Sequence, residues 1–193
     1  MTQTGGAVAE ISERQGIVPH TTALQKDPQE QYWYAVHTSP RHEKRVEQLL
    51  RNKDFATFLP LISAIHQWSD RRRLVSAPLF PGYLFVRTTP IQSARVSVLR
   101  TRGVITLVGA TGKGTPLPDQ QIEAVRNVIE SGAYCSPYPF LKTGQRVRIS
   151  GGSLHGIEGI LVAKNRDQSV VISLDLIQNS LAVQVTGYRL EPV

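Results

Sequence analysis

The strongest constraint on the fold is the segment 78–87, which reads Pro-Leu-Phe-Pro-Gly-Tyr-Leu-Phe-Val-Arg. Its two prolines exclude an interior helix, and Pro81-Gly82 predicts a turn. The four β-prone residues that follow, 83–86, predict a central strand. Tyr83 and Phe85 then lie on one face of that strand and two aliphatic side chains on the other. Two interpretations remain: both faces are buried, or one face presents two aromatic rings to a partner.

Composition limits the class of protein. The chain has 193 residues and a hydrophobic content of 40%, which is enough for one medium core or two small ones. No apolar run approaches the roughly 20 residues that span a bilayer, and residues 1–31 carry no signal-peptide pattern. Cys135 is the single cysteine, so an internal disulfide is excluded. These features predict a soluble, cytoplasmic protein without a membrane partner.

The positive charge is concentrated in one part of the chain. The net charge is +7, and residues 32–131 alone hold fourteen basic and seven acidic side chains. A local basic excess favours a polyanionic partner such as nucleic acid, although a solvated positive face has the same composition.

The folded part is predicted to begin at Gln31, after a disordered tail over residues 1–30. The aromatic run 32–37 predicts a strand, and Ser39-Pro40 is typical of a helix start. The 3.6-residue period of the helix places apolar side chains on one face and basic side chains on the other. The apolar stripe consists of Val46, Leu49 and Leu50, and the basic face carries Arg41, Lys44 and Arg45.

The next elements alternate between strands and helices. Residues 55–62 predict a strand, and the polar, arginine-rich segment after it predicts a hairpin tip. The tip arginines are Arg71, Arg72 and Arg73. They are candidates for phosphate contact, with a solvated hairpin end as the alternative. Residues 91–100 fit a short helix and a strand equally, 104–108 predict a strand, and Asp119 is expected to cap a helix that ends before Gly132.

The sequence contains no recognisable catalytic or cofactor motif. The glycine-rich loop 109–115 does not match the phosphate-loop spacing, because Leu107 stands where that motif needs glycine. The five histidines show no metal-ligand spacing with Cys135 or with paired carboxylates. We therefore expect no cofactor, no metal and no catalytic residue, and a nucleotide-dependent enzyme is the least favoured class.

The last third of the chain predicts a separate small β unit. Residues 132–140 contain two prolines and no periodicity, which is typical of a linker. Several short β-prone runs with glycine turns follow between residues 141 and 193, and they predict a small barrel. The expected fold is α+β: an antiparallel sheet with flanking helices over residues 31–131, the linker, and a β-barrel over residues 141–193.

Two sets of motifs resemble a known family. Residues 141–193 look like a KOW domain through Gly144–Ile149, Gly152, Gly156–Gly159 and Leu190–Val193. They are preceded, in order, by Trp33–Thr38, Glu43–Val46 and Leu79–Val86. Together they resemble the NusG family of transcription elongation factors over residues 31–193. The barrel alone would also fit a ribosome-associated KOW module, which would not need the aromatic segment.

The resemblance implies partners and site residues. The N-terminal domain would bind the clamp helices of RNA polymerase through an aromatic hollow lined by His37, Phe80, Tyr83 and Phe85. The basic helix face would lie near upstream or non-template DNA. The KOW domain would recruit a second partner, either the ribosomal protein NusE or Rho, through a turn that carries Leu154 and Ile157. Ile157, between glycines, is interpreted either as an exposed apolar contact or as a core residue.

One segment departs from the housekeeping pattern. Residues 176–183 lack the Phe-Gly-Arg and Thr-Pro-Val-Glu pattern usual in NusG, and this part looks more like specialised paralogues of the UpxY and RfaH type. The resemblance therefore implies a monomeric, operon-specific antiterminator, with housekeeping NusG as the alternative. The glycine turns favour a barrel rather than an RfaH-like helical hairpin.

Overall fold

The N-terminal part of the protein is an antiparallel sheet between helices. The computed structural model describes residues 30–67, 72–141, 144–164 and 167–193. The first strands and helices are β1 (Tyr32–Thr38), α1 (Glu43–Arg51), β2 (Ala56–Phe58), β3 (Leu61–Gln67), β4 (Arg72–Pro78), β5 (Tyr83–Thr88), α2 (Gln92–Leu99), β6 (Val104–Leu107), β7 (Pro116–Leu117) and α3 (Asp119–Glu130). Residues 91–100, which fit helix and strand equally, thus contain a helix.

The predicted central strand lies inside the sheet. The strand order is β2-β5-β1-β6, with β7 also paired to β1. Strands β1 and β5 are antiparallel, with Ala35 opposite Phe85 and His37 opposite Tyr83. This register places the odd-numbered residues of both strands on the same face of the sheet.

Both faces of β5 are buried, each against different helices. Leu84 and Val86 join a core that includes Val46 and Leu50 of α1. Phe85 joins a second core with the buried face of α3, which consists of Ile122, Val125 and Val128. Each fully buried aliphatic or aromatic side chain of this kind contributes about 1.5–3 kcal/mol to folding.

Helix α1 begins later than Ser39-Pro40 predicts. The Ser39 N–H donates to the Gly103 carbonyl at 2.8 Å, and Arg41 has a left-handed φ of 63°. The chain therefore turns before the helix, which starts at Glu43 after His42. The apolar face of α1 agrees with the prediction, since Val46 and Leu50 are buried, but Arg41 lies in the turn before the helix and not on its basic face.

The predicted hairpin is present as β3 and β4. The two strands pair antiparallel from Leu61 opposite Pro78 to Gln67 opposite Arg72. The tip residue Arg71 lies outside the described residues, and for Arg72 and Arg73 only the backbone pairing is described.

The C-terminal part is built from antiparallel strands with glycine turns. They are β8 (Cys135–Tyr138), β9 (Arg146–Ser150), β10 (Glu158–Lys164), β11 (Asp167–Leu174), β12 (Asn179–Gln184) and β13 (Arg189–Pro192). Among the described residues the order is β13-β9-β10-β11-β12-β8. Their inward side chains enclose a core that includes Val147, Ile149, Val170 and Leu181. This strand-rich unit fits the predicted small barrel.

The expected linker is in part a strand of this second sheet. Strand β8 pairs with β12, with Cys135 opposite Val183 and Tyr138 opposite Ser180. Local periodicity does not show this strand, because its backbone partners are about forty residues further along the chain. The division of the chain at residues 131 and 141 stays a prediction.

The two units also touch. Helix α3 contacts β11 and the 3-10 turn Gly152–Leu154. Buried residues of both units belong to one connected hydrophobic cluster. In the part of the chain that the structure describes, no helix is both long and apolar enough to cross a membrane.

Candidate functional site

A row of side chains follows one face of the N-terminal sheet, and α3 covers only one end of it. At the covered end, Arg126 of α3 lies over the rings of Trp33 and Phe58, 5.9 and 5.2 Å from their centroids. At the other end of the row stand His37 and Tyr83, which are opposite each other in the sheet and only half-buried. The accessible part of this aromatic face is therefore the His37–Tyr83 end.

Phe80 and Phe85 are near that end in the chain: Phe80 lies in the turn before β5, and Phe85 follows Tyr83 by two positions on the same face of β5. Phe85 is 0% exposed and Phe80 is 1% exposed. The two rings meet edge to face at 6.3 Å, and Phe58 stacks on Phe85 from the other side at 6.1 Å. The expected exposed lining is thus wrong for these two phenylalanines in this structure, because both are buried in the hydrophobic cluster that also contains the apolar face of α3.

His37 and Tyr83 form a stacked pair. Their ring centroids are 5.1 Å apart, and the planes differ by 21°. The two rings are adjacent because the register of β1 and β5 pairs these positions. Amphipathic rings that are half-buried at a surface are typical anchors for protein partners.

The predicted basic side chains at the start of α1, Arg41, Lys44 and Arg45, are exposed, but they differ in their contacts. Arg41 and Arg45 are exposed, and among the described residues no hydrogen bond or ion pair is seen for either guanidinium. The Lys44 ammonium donates to the carbonyl oxygen of Ser76 in β4 at 2.8 Å. Lys44 therefore ties the helix to the hairpin, and it is less available to a phosphate than the two arginines.

Sequence reasoning missed two further arginines at this end of the unit. Arg100 and Arg102 are exposed and follow α2. Their loop packs on α1: a Cβ atom at Gly103 would lie 2.9 Å from Val46 Cγ2 and 3.4 Å from His42 Cβ. The loop thus adjoins the start of α1, and we call the exposed arginines of these two segments, Arg41, Arg45, Arg100 and Arg102, the basic end. The concentration of charge in residues 32–131 is a signal for such a surface, but only the tertiary structure brings these positions together.

The predicted recruiting residues are buried in the second unit. Leu154 is 0% exposed and Ile157 is 5% exposed. The Ile157 N–H donates to the Leu154 carbonyl, and the Ile157 carbonyl accepts from the Ile149 N–H at 2.9 Å. This bonding turns the side chain inward, so Ile157 is a core residue and the exposed alternative is wrong for this structure.

A cleft of about 920 Å³ lies beside the contact between α3 and the second unit. Its lining includes Ala124 and Asn127 of α3 and Ile157, Glu158 and Ile172 of the second unit. The cleft lies away from the His37–Tyr83 pair. Among the described residues no group of His, Cys, Asp and Glu side chains is placed to hold a metal ion.

Comparisons with known proteins identify the family and support the fold. Residues 31–126 match the protein-family model described as transcription termination factor nusG. The chain belongs to the NusG family through these residues. A transcription termination/antitermination protein NusG from Pseudomonas aeruginosa is 24% identical over 173 residues, which cover 83% of this chain and 98% of that protein. NusG of Halalkalibacterium halodurans is 31% identical over 108 residues, which cover 50% of this chain and 61% of that protein.

The NusG fold extends through both units. The solved structure described as domain interaction in Thermotoga maritima NusG has a TM-score of 0.55 and 18% sequence identity, and the match covers 81% of this chain and 94% of that one. At this identity the likeness concerns the fold alone. The NusG relatives are named as transcription factors, which supports a protein without enzymatic activity.

Proposed function

We propose that this NusG-family protein binds RNA polymerase at the clamp helices through the N-terminal unit and promotes processive elongation. The observation that carries the proposal is the stacked His37–Tyr83 pair, which is half-buried at the open end of the family-matched sheet. Phe80 and Phe85 pack edge to face in the core and need not touch the polymerase themselves.

The basic end supplies the second contact. Four exposed arginines on one surface fit the backbone of upstream or non-template DNA, because guanidinium groups pair with phosphates whatever the base sequence. On a polymerase that already carries DNA, the protein contact and the phosphate contact would act together.

The second unit serves as the recruiting part of the molecule. We propose the ribosomal protein NusE or Rho as its partner, in line with the KOW resemblance. Since Leu154 and Ile157 are buried, the exposed His155 and Gly156 between them are the better candidates for direct contact.

An operon-specific antiterminator and a general NusG are the two forms of this function. The unusual segment 176–183 favours the specialised form. The full-length similarity to a protein named NusG favours the general one.

The proposal is tested by purifying the tagged full-length protein from its own cells and sequencing the associated transcripts. We expect RNA polymerase to co-purify with the wild type and to be lost with Tyr83→Ala. Tyr134→Ala is the matched control, because Tyr134 is 72% exposed and lies far along the chain from the pair. Enrichment of a few transcripts supports the specialised form, and enrichment across the transcriptome supports the general form. Ribosomes without polymerase would contradict the proposal.

A further inference from the structure

Glu43 is a buried acidic residue that the proposed contacts do not use. It is the first residue of α1 and only 5% exposed. A carboxylate removed from water needs a hydrogen-bonding partner in the protein. Its Oε1 atom accepts a hydrogen bond from the backbone N–H of Gly82 at 2.7 Å, across 39 positions of sequence.

Gly82 is held from its other side as well. Its carbonyl oxygen accepts from the Thr38 N–H in β1 at 2.8 Å. Its φ of +83° is left-handed, and a Cβ atom at this position would lie 3.7 and 3.8 Å from Cδ2 and Nε2 of His37. Both backbone polar groups of Gly82 are therefore hydrogen-bonded: the N–H to the start of α1 and the carbonyl oxygen to the end of β1.

The residues bound to Gly82 flank the proposed polymerase contact. Thr38 follows His37, and Gly82 precedes Tyr83. The turn itself closes by a hydrogen bond from the Tyr83 N–H to the Phe80 carbonyl at 3.1 Å. Movement of Gly82 would therefore change how the Tyr83 ring meets the His37 ring.

We infer that Glu43 is a positioning residue, which holds the turn at Gly82 so that His37 and Tyr83 stack in the geometry presented to the polymerase. This inference rests on the proposed function of that pair. A purely local role is the competing explanation, since a carboxylate in the first turn of a helix also interacts favourably with the helix dipole.

Three substitutions separate these roles in the full-length protein. Glu43→Gln keeps an oxygen acceptor at the same distance along the side chain but removes the charge. Glu43→Asp keeps the charge in the first turn but withdraws the acceptor by one methylene, and Glu43→Ala removes both. Glu47→Ala is the matched control, one turn further along α1, where the carboxylate pairs with Arg51 at 2.7 Å.

The first measurement needs no polymerase. In NMR spectra of the full-length protein, we expect the Gly82 amide to shift and the contacts between the His37 and Tyr83 rings to weaken in Glu43→Ala and Glu43→Asp. Glu43→Gln and Glu47→Ala should keep the ring contacts. A helix-dipole role predicts the reverse order, with Glu43→Asp like the wild type and Glu43→Gln impaired, and that result would overturn the inference.

The second measurement is affinity for RNA polymerase. Because the displaced rings would no longer match the partner surface, we expect binding to weaken about tenfold in Glu43→Ala and Glu43→Asp. If a Glu43 variant binds RNA polymerase as tightly as the wild type although its His37–Tyr83 ring contacts are weakened, the inference is also contradicted. If the wild type does not bind polymerase, the proposed function fails, whereas the ring geometry still decides whether Glu43 positions the pair. If Glu43→Ala does not fold, the contrast between Glu43→Asp and Glu43→Gln remains.

Discussion

Tyr83 and Phe85 are two positions apart on the same strand face, but their surroundings differ. Phe85 is 0% exposed between Phe58 and Phe80, whereas Tyr83 is half-buried beside His37. Removing a ring from a closed core leaves a cavity and loses its transfer free energy. Removing a ring at a surface costs less, because water or a partner replaces its contacts.

We therefore expect Phe85→Ala to lower the free energy of unfolding by about 3–5 kcal/mol. Tyr83→Ala should lower it by about 1 kcal/mol, within the ordinary range of single substitutions. Urea titrations followed by circular dichroism measure both values. Equal losses of unfolding free energy would show that Tyr83 is also a core residue. A variant with both substitutions cannot separate an effect on binding from an effect on folding, because Phe85→Ala alone destabilises the protein.

The reactivity of the Cys135 thiol shows whether residues 132–140 are a free linker or part of the sheet. Burial raises the pKa of its thiol, so the reactive thiolate is a smaller fraction at any pH below that pKa. We expect alkylation by iodoacetamide at pH 8 to be slower than for a free thiol, and to accelerate when urea unfolds the protein.

The matched control for this prediction is Tyr134→Cys in a Cys135→Ser background. Position 134 is 72% exposed and adjoins β8. Its thiol should react at the rate of a free cysteine. If Cys135 reacts equally fast in the folded protein, strand β8 is not docked in solution.

Among the elements, α1 and the loop after α2 form the basic end although they are far apart in sequence. We expect alanine at Arg100 and Arg102 to weaken binding to a DNA-bearing polymerase complex as much as alanine at Arg41 and Arg45. Removing one arginine–phosphate pair should reduce the salt dependence of log K by about 0.9. Binding measured over a series of salt concentrations gives this slope.

Two variants serve as controls for that prediction. Lys44→Ala should change the slope less, because its ammonium is already bound to the Ser76 carbonyl. Arg189→Ala removes an exposed arginine from β13 in the second unit and should leave the slope unchanged. If the Arg100 and Arg102 variant keeps the wild-type slope, the loop does not touch DNA. Contact with DNA would then be limited to Arg41 and Arg45.

For the whole molecule, α3 belongs to the N-terminal sheet on one side and meets the second unit on the other. Ala124 lines the cleft toward Ile157 and Ile172 and is half-buried. We expect Ala124→Arg to separate the units, because a long charged side chain does not fit against their apolar surfaces. NMR shifts of residues 152–158 and 171–175 in the full-length protein report the separation.

Glu130→Arg is the control for this substitution, since Glu130 is exposed at the last position of α3. It changes the charge of the same helix without entering the cleft, and it should leave those shifts unchanged. Identical spectra for Ala124→Arg and the wild type would mean that the units are already apart in solution. The two units would then behave as independent domains joined by a linker.

The sequence by itself determined the features that depend on neighbours in the chain. Pro81-Gly82 and the β-prone run after it specify a turn and strand β5, and the helical period specifies which face of α1 is buried. The family motifs are equally local, and the family match confirms that part of the interpretation. These predictions succeed because turn chemistry and side-chain periodicity act over a few residues.

Only the tertiary structure decided which side chains are free to act. Phe85 is buried in a hydrophobic cluster that includes residues of α3, almost forty residues later in the chain. Cys135 lies in a strand because residue 183 pairs with it. Glu43 meets Gly82, and Arg102 adjoins α1, through contacts between distant segments. Burial and strand pairing are properties of surfaces that come together in space, so local periodicity leaves these outcomes open.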